Sequence, residues 1–341
     1  MKKLLITIVQ LAVTIGLLFW VYHDPKTLAD MREALFHARV EWLLAGILSY
    51  LVVEVAAAFR WHILLKVQGI RLSLARLSGL FLIGMFYNQF LPGGTGGDII
   101  KSYLLLKETD RKAGALLAVV FDRFIGLVAL VAITVTLVSM RFDLLSQTNE
   151  TRRYLWILLI LLGISIASLV TSFLVSGFNL FHLLPHKFPG RDKLIEIAAA
   201  YHLYAWHWIA TLIAFCVSLV AHLATFMTFL CAAYALGANV IATNFFAVMP
   251  IERTISALPI SFAGIGLREK VLQTMLHQVC GVKEGVAVLI GSLSFVIIVL
   301  CCLPGCIVYF FYRPSGVAKR VKLREMQREV ATAEHEIPEP Q

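Results

Sequence analysis

Leu91-Pro92-Gly93-Gly94-Thr95-Gly96-Gly97-Asp98-Ile99-Ile100-Lys101 and Leu258-Pro259-Ile260-Ser261-Phe262-Ala263-Gly264-Ile265-Gly266-Leu267-Arg268 decide how this chain is built. Each breaks a long apolar stretch with a proline and several glycines, and each ends on a basic residue ten positions after its leucine. They stand 167 residues apart, Leu91 to Leu258, in corresponding places of two halves. Paired interruptions of this kind point to a membrane protein made of an internal repeat, with a binding site at the repeat interface.

The surrounding composition agrees. Of 341 residues 59% are hydrophobic and 15% charged, and stretches of 18 or more apolar residues recur, which excludes an ordinary soluble globule. Full spans are expected at about 4–22, 42–59, 113–140, 154–176, 206–236 and 285–312. The segments 77–91 and 244–258 are different: each has 15 residues, about 22 Å of helix against a hydrocarbon core of about 30 Å. Each is followed by its glycine turn and a second short arm, 99–107 or 267–279, and is read as a re-entrant hairpin. The fold class expected is an all-α polytopic membrane protein, about six full spans plus two re-entrant helical hairpins in an inverted-topology repeat. Residues 1–22 form a first anchor helix and 42–140 repeat A, with its hairpin at 77–107. A connecting span and cytoplasmic amphipathic linker fill 141–205. Repeat B is 206–312 with its hairpin at 244–279, and 313–341 is a tail, basic and then acidic.

Charge placement orients this arrangement. With the N-terminus inside, nineteen Lys and Arg residues fall in cytoplasmic segments, Arg60 among them, against nine outside. Positive residues concentrate on the cytoplasmic side of membrane proteins. Both termini are therefore expected in the cytoplasm, and the chain in the cell's inner (cytoplasmic) membrane. Hairpin A then enters from the cytoplasm and hairpin B from outside. The net charge of +9 sits beside the ends of apolar runs, where it meets anionic headgroups; no nucleic-acid partner is expected.

Ionisable residues inside the apolar runs are the candidate site. Each costs about 2.5–3.5 kcal/mol at a helix centre, so such residues face a cavity or one another. Asp122 and Arg123 lie a third of the way into 113–140, Glu252 and Arg253 inside the second hairpin's first arm, and Glu54 deep in 42–59. Neighbours on a helix point about 100° apart, so neither adjacent couple pairs internally; Asp122 with Arg253 across the repeat interface is one expected match. Gly93, Gly94, Gly97, Gly264 and Gly266 permit unusual backbone angles and bare N–H groups, and the helix that follows attracts phosphate at its N-terminus. Simple tight corners are the alternative role. Asp98 is placed to cap the first of these helices, and Lys101 and Arg268 lie one turn in, positioned to hold phosphate oxygens. Histidine spacings do not suit a metal, and five of the six cysteines lie in apolar helices, so no metal, disulfide or cofactor is expected.

Three motifs in order, Leu91-Pro92-Gly93-Gly94-x-Gly96-Gly97-Asp98, Asp122-Arg123-x-x-Gly126-Leu127 and Pro259-x-Ser261-x-x-Gly264-x-Gly266-x-Arg268-Glu269, resemble the lysylphosphatidylglycerol synthase transmembrane-region family. That is the flippase-like domain of the bacterial multiple-peptide-resistance factors, and the likeness runs through about 10–312. Lys101 stands where arginine is expected and Ala263 where glycine is expected. The resemblance implies the lipid-translocating part without the soluble synthase domain, and adds Glu269 to the candidate site. A transporter, not an enzyme, of an anionic phospholipid or polyprenyl-phosphate-type lipid is the expectation. The alternatives are a membrane enzyme or accessory subunit acting on lipid-linked substrates, and a scaffold. A second copy of the chain or a separate lipid-modifying enzyme is the protein partner left open.

Overall fold

The computed structural model describes residues 2–91, 96–177, 202–258 and 260–312. Gly93 and Gly94, most of the 141–205 linker's second half and the 313–341 tail lie outside the described residues. Within them the regular structure is helical: α1 (Lys2–Tyr22), α2 (Pro25–Phe36), α3 (Val40–Val67), α4 (Leu74–Phe90), α5 (Gly96–Leu106), α6 (Lys112–Met140), the single turn α7 (Phe142–Leu145), α8 (Asn149–Gly177), α9 (Trp208–Ala235), α10 (Ala242–Ser256), α11 (Leu267–Cys280), α12 (Glu284–Cys302) and α13 (Pro304–Phe311). Five stretches are long and apolar enough to cross a membrane: α3, α6, α8, α9, and α12 continued through α13. A bundle of long apolar helices is a multi-pass membrane protein.

The two short connections between expected spans, residues 23–41 and 141–153, contain helix. Residues 23–41 carry α2, started by Asp24, whose carboxylate accepts from the Lys26 and Thr27 N–H groups, with Pro25 at the first helical position. Residues 141–153 carry α7 and the start of α8. The expected span 42–59 is also too short, because α3 runs on to Val67. Arg60 had been taken as its end, but the apolar run resumes at Trp61 and the helix continues through the charge.

α3 and α9 are the most extensively packed pair and form the centre of the bundle. Small residues let their backbones approach: Ser49 donates to the Ala224 carbonyl at 2.8 Å, and Gly46 faces Thr228 and Cys231. The other contacts are reciprocal. α3 touches α6 and α12, while α9 touches α12 and α6. The two interrupted segments form helix–turn–helix units of matching placement. α4 leans on α12 and α13 and its partner α5 on α6; α10 leans on α6 and its partner α11 on α12. In the first unit the arms are antiparallel, for Gly84 meets Lys101 while Asn88 meets Gly97.

Candidate functional site

The first charge set grows out of the start of α5. At Gly97 any Cβ would run into the Gly84 carbonyl and the Asn88 backbone, so α5 lies against α4 with no room for a side chain. The Gly97 N–H is taken by the Asn88 Oδ1 at 2.9 Å. Asn88, not Asp98, thus satisfies the start of α5, and Asp98 is released for another purpose. Its carboxylate accepts from Arg123 Nε at 2.8 Å and from the same guanidinium's Nη2, and lies 3.8 Å from Lys101 Nζ.

Lys101 is 4% exposed and stands between two carboxylates, 3.9 Å from Asp122 Oδ2 as well as near Asp98. Its ammonium rests 4.4 Å from the Trp61 ring centroid, a cation–π contact that partly replaces lost water. Asp122, 3% exposed, accepts from Arg60 Nε at 2.7 Å, and Arg60 Nη1 in turn donates to Ser218 Oγ at 3.0 Å. α3, α5, α6 and α9 are thereby joined through Arg60, Lys101, Asp98, Asp122, Arg123 and Ser218. The set holds three cations and two carboxylates, and Arg123 is its exposed member.

Asp122 therefore does not pair with Arg253. Arg60, assigned from sequence to the cytoplasmic surface, takes that place, because α3 carries it into the bundle beside α6. The interruption of the apolar run by a single Arg, with Trp61 directly after it, was the available signal. Arg253 is exposed, and its guanidinium makes no hydrogen bond or ion pair among the described residues. His222 on α9 lies within electrostatic range of both Arg60 and Arg253, and meets the Gly126 carbonyl through Nε2 at 3.1 Å. It sits between the two charge sets.

The second set lies around the α10–α11 turn. Gly264 and Gly266 have φ of +74° and +83°, and Ala263 takes the left-handed region at φ 51°. The turn is closed from inside: Ile265 N–H donates to Phe262 O, Gly266 N–H to Glu269 Oε2 at 2.6 Å, and Phe262 N–H to Thr14 Oγ1 of α1 at 2.8 Å. These three N–H groups are not bare. What is bare is the side-chain chemistry. Arg268 is 5% exposed, with its guanidinium 4.5 Å from the Phe295 ring centroid and Nε 3.5 Å from Glu269 Oε1, yet Nε and Nη2 have no hydrogen-bond acceptor among the described residues. Glu252, 1% exposed, has Oε2 without a donor, and the Ser256 and Ser261 hydroxyls are likewise unmatched. Burying such groups without partners costs about 1–3 kcal/mol each, more when charged, so water or a ligand is called for here.

Asp98, Lys101, Asp122 and Arg123 are thus brought together in one set, and Glu252, Gly264, Gly266, Arg268 and Glu269 in another. Glu54 belongs to neither; it is buried against Cys302 Sγ at 3.7 Å. No group of three or more metal-ligating side chains occurs among the described residues.

Residues 7–314 match the family described as the lysylphosphatidylglycerol synthase TM region. The chain is also similar to the UPF0104 membrane protein PH1989 of Pyrococcus horikoshii, 27% identical over 179 residues, 52% of this chain and 49% of that protein. It spans about half the length of that curated relative. With the match running through nearly all of the helical bundle just described, the chain belongs to the lysylphosphatidylglycerol synthase transmembrane-region family.

Proposed function

We propose that this protein moves a lipid with an anionic, phosphate-bearing headgroup between leaflets, an anionic phospholipid or a polyprenyl-phosphate-type lipid. The observation that carries the reading is Arg268: a buried guanidinium with two nitrogens lacking acceptors, inside an apolar helical bundle. Arginine's planar fork matches phosphate oxygens, and the ion pair with Glu269 leaves two of its nitrogens without hydrogen bonds that such a partner would supply. Arg123 and Arg253, both exposed in the membrane part of the bundle, supply further cations along a headgroup's route. The reciprocal contacts of the two helix–turn–helix units support an inverted repeat, with hairpins re-entering from opposite faces and α1 as a sixth span.

An enzymatic role would need acids and bases free to exchange protons. Asp98 and Asp122 are each held by two cations, which suits a fixed electrostatic frame better than general acid–base work. The test is purified protein in liposomes with fluorescent lipids of different headgroups, scored for transbilayer movement. Movement of phosphate-bearing lipids that Arg268→Gln abolishes is the expected result. No movement of any headgroup, or full movement in the variant, refutes the proposal.

A further inference from the structure

An opening with charged side chains in its wall lies where the end of α1, the start of α8 and α11 meet the start of α12. It encloses about 460 Å³. Its walls are wired together across elements: Lys270 Nζ donates to Gln273 Oε1 at 3.0 Å, and Gln273 Nε2 donates to Glu284 Oε2 at 2.7 Å. The Lys270 ammonium also lies 4.3 Å from the Trp20 ring centroid. On the α8 side, Arg153 and Glu150 complete the lining, with Gln278 Nε2 3.4 Å from Glu150 Oε2. The cavity therefore presents two permanent cations and two carboxylates, interleaved with aromatic surface from Trp20 and Tyr154.

The outer surface below this cavity is apolar. Ile157 lines its edge, and further along α8 Ile160 and Ile164 are 60% and 62% exposed; on α1, Phe19 and Ile15 are 68% and 66% exposed. A polar chamber at the end of the bundle, set over greasy helix faces, has the shape of a diacyl lipid's surroundings. Trp20 and Tyr154 in its wall are of the residue types that gather at headgroup level in a bilayer.

We propose that this cavity docks a resident lipid whose headgroup carries both a phosphate and an ammonium group. Lys270, on the Trp20 face, and Arg153 receive the phosphate, and Glu284 and Glu150 receive the ammonium. A purely anionic headgroup satisfies the cations and is repelled by the carboxylates, so the lining selects a zwitterion. The bound lipid ties α1, α8, α11 and α12 together. This site is separate from transport and rests only on the chain's place in a bilayer.

The test uses the full chain in detergent micelles, titrated with short-chain phosphatidylethanolamine or with phosphatidylglycerol of the same acyl length. The readout is the Trp20 fluorescence, taken as the difference between wild type and Trp20→Phe, and the melting temperature. Phosphatidylethanolamine is expected to saturate the signal at about tenfold lower mole fraction than phosphatidylglycerol, about 1.4 kcal/mol of preference. Glu284→Gln, at the cavity wall, should reduce that preference to about threefold or less, and Lys270→Gln should weaken the binding of both lipids without lowering the preference, while each protein stays folded. Equal or tighter binding of phosphatidylglycerol, no saturable Trp20 signal, a Glu284→Gln variant that keeps the full preference, or a Lys270→Gln variant that binds both lipids as the wild type does would each overturn the proposal. A protein that shows the expected binding but moves no lipid refutes the transport reading alone.

Discussion

Replacing Asp122 by Asn tests the first charge set most directly. Asp122 faces Arg60 at 2.7 Å and Lys101 at 3.9 Å, and all three side chains are at least 87% buried. At an effective dielectric of about 20, unit charges at these separations attract by about 6 and about 4 kcal/mol. Most of that is offset by the cost of taking the ions out of water, but the offset is not returned when only one ion is removed. The variant leaves Arg60, Lys101 and Arg123 facing Asp98 alone. Breaking a buried pair in this way costs about 3–5 kcal/mol, and the same loss is expected here. Lys101→Met alone should cost less, since Asp122 keeps Arg60 and Asp98 keeps Arg123. The double variant should recover part of the Asp122→Asn loss, a coupling of about 1 kcal/mol or more between neighbours. Reversible unfolding in mixed micelles with a denaturing detergent measures all four proteins. A loss below about 1 kcal/mol for Asp122→Asn, or a double variant equal to the sum of the singles, would refute the network as described.

Four other outcomes are expected. Gly97→Val should abolish the folded protein, or cost more than about 3 kcal/mol, because its side chain meets the Gly84 and Asn88 backbone, whereas Gly163→Ala, facing open space on α8, should be silent or stabilising; thermal stability in detergent separates them. Ala263→Gly relieves a left-handed residue but loosens the unfolded chain, so it should raise stability by about 0–1 kcal/mol, and a clear loss would contradict the φ of 51°. The Lys26 N–H, and after it the Thr27 hydroxyl, hold the Asp24 carboxylate below its ordinary range, so its contribution to stability is present above the unfolded value and lost as pH falls through the folded one. The stability gap between wild type and Asp24→Ala should therefore shrink as the pH is taken below the ordinary carboxylate range. In a background without the six native cysteines, a cysteine at 107–112 should label only from the cytoplasm and one at 278–284 only from outside; labelling from one shared side ends the inverted-repeat reading.

Much of the architecture was readable because the two sequence signals were strong and local. Pro92 and Pro259 with their glycines forbid a continuous helix, and helix–break–helix units occur at both places. Helix α2 lies in a short, largely polar connection between two apolar runs; its signals are local, the Asp24-Pro25 cap and Leu28, Met31 and Leu35 at helical spacing. Charged residues were found one by one, yet their partners were not, since pairing depends on how α3 is rotated against α6. Arg60 shows the difficulty: by composition it closes a span, and only the packing of α3 on α9 and α6 carries it to Asp122 and Ser218. The unmatched state of Arg268 was equally hidden, because nothing in a sequence counts hydrogen bonds.

The cross-bracing of the two units has a mechanical consequence. Each first arm is fastened to the last helix of the opposite half, α4 to α12 and α13, α10 to α6, while each second arm stays with its own. At one such joint a Cβ on Gly305 would strike the Leu82 carbonyl, so α13 and α4 touch backbone to backbone. Neither half can then tilt about the α3–α9 seam without hauling on a strut that belongs to the other. The contacts brace the two helix–turn–helix units against each other, so that the bundle is tied into a single frame.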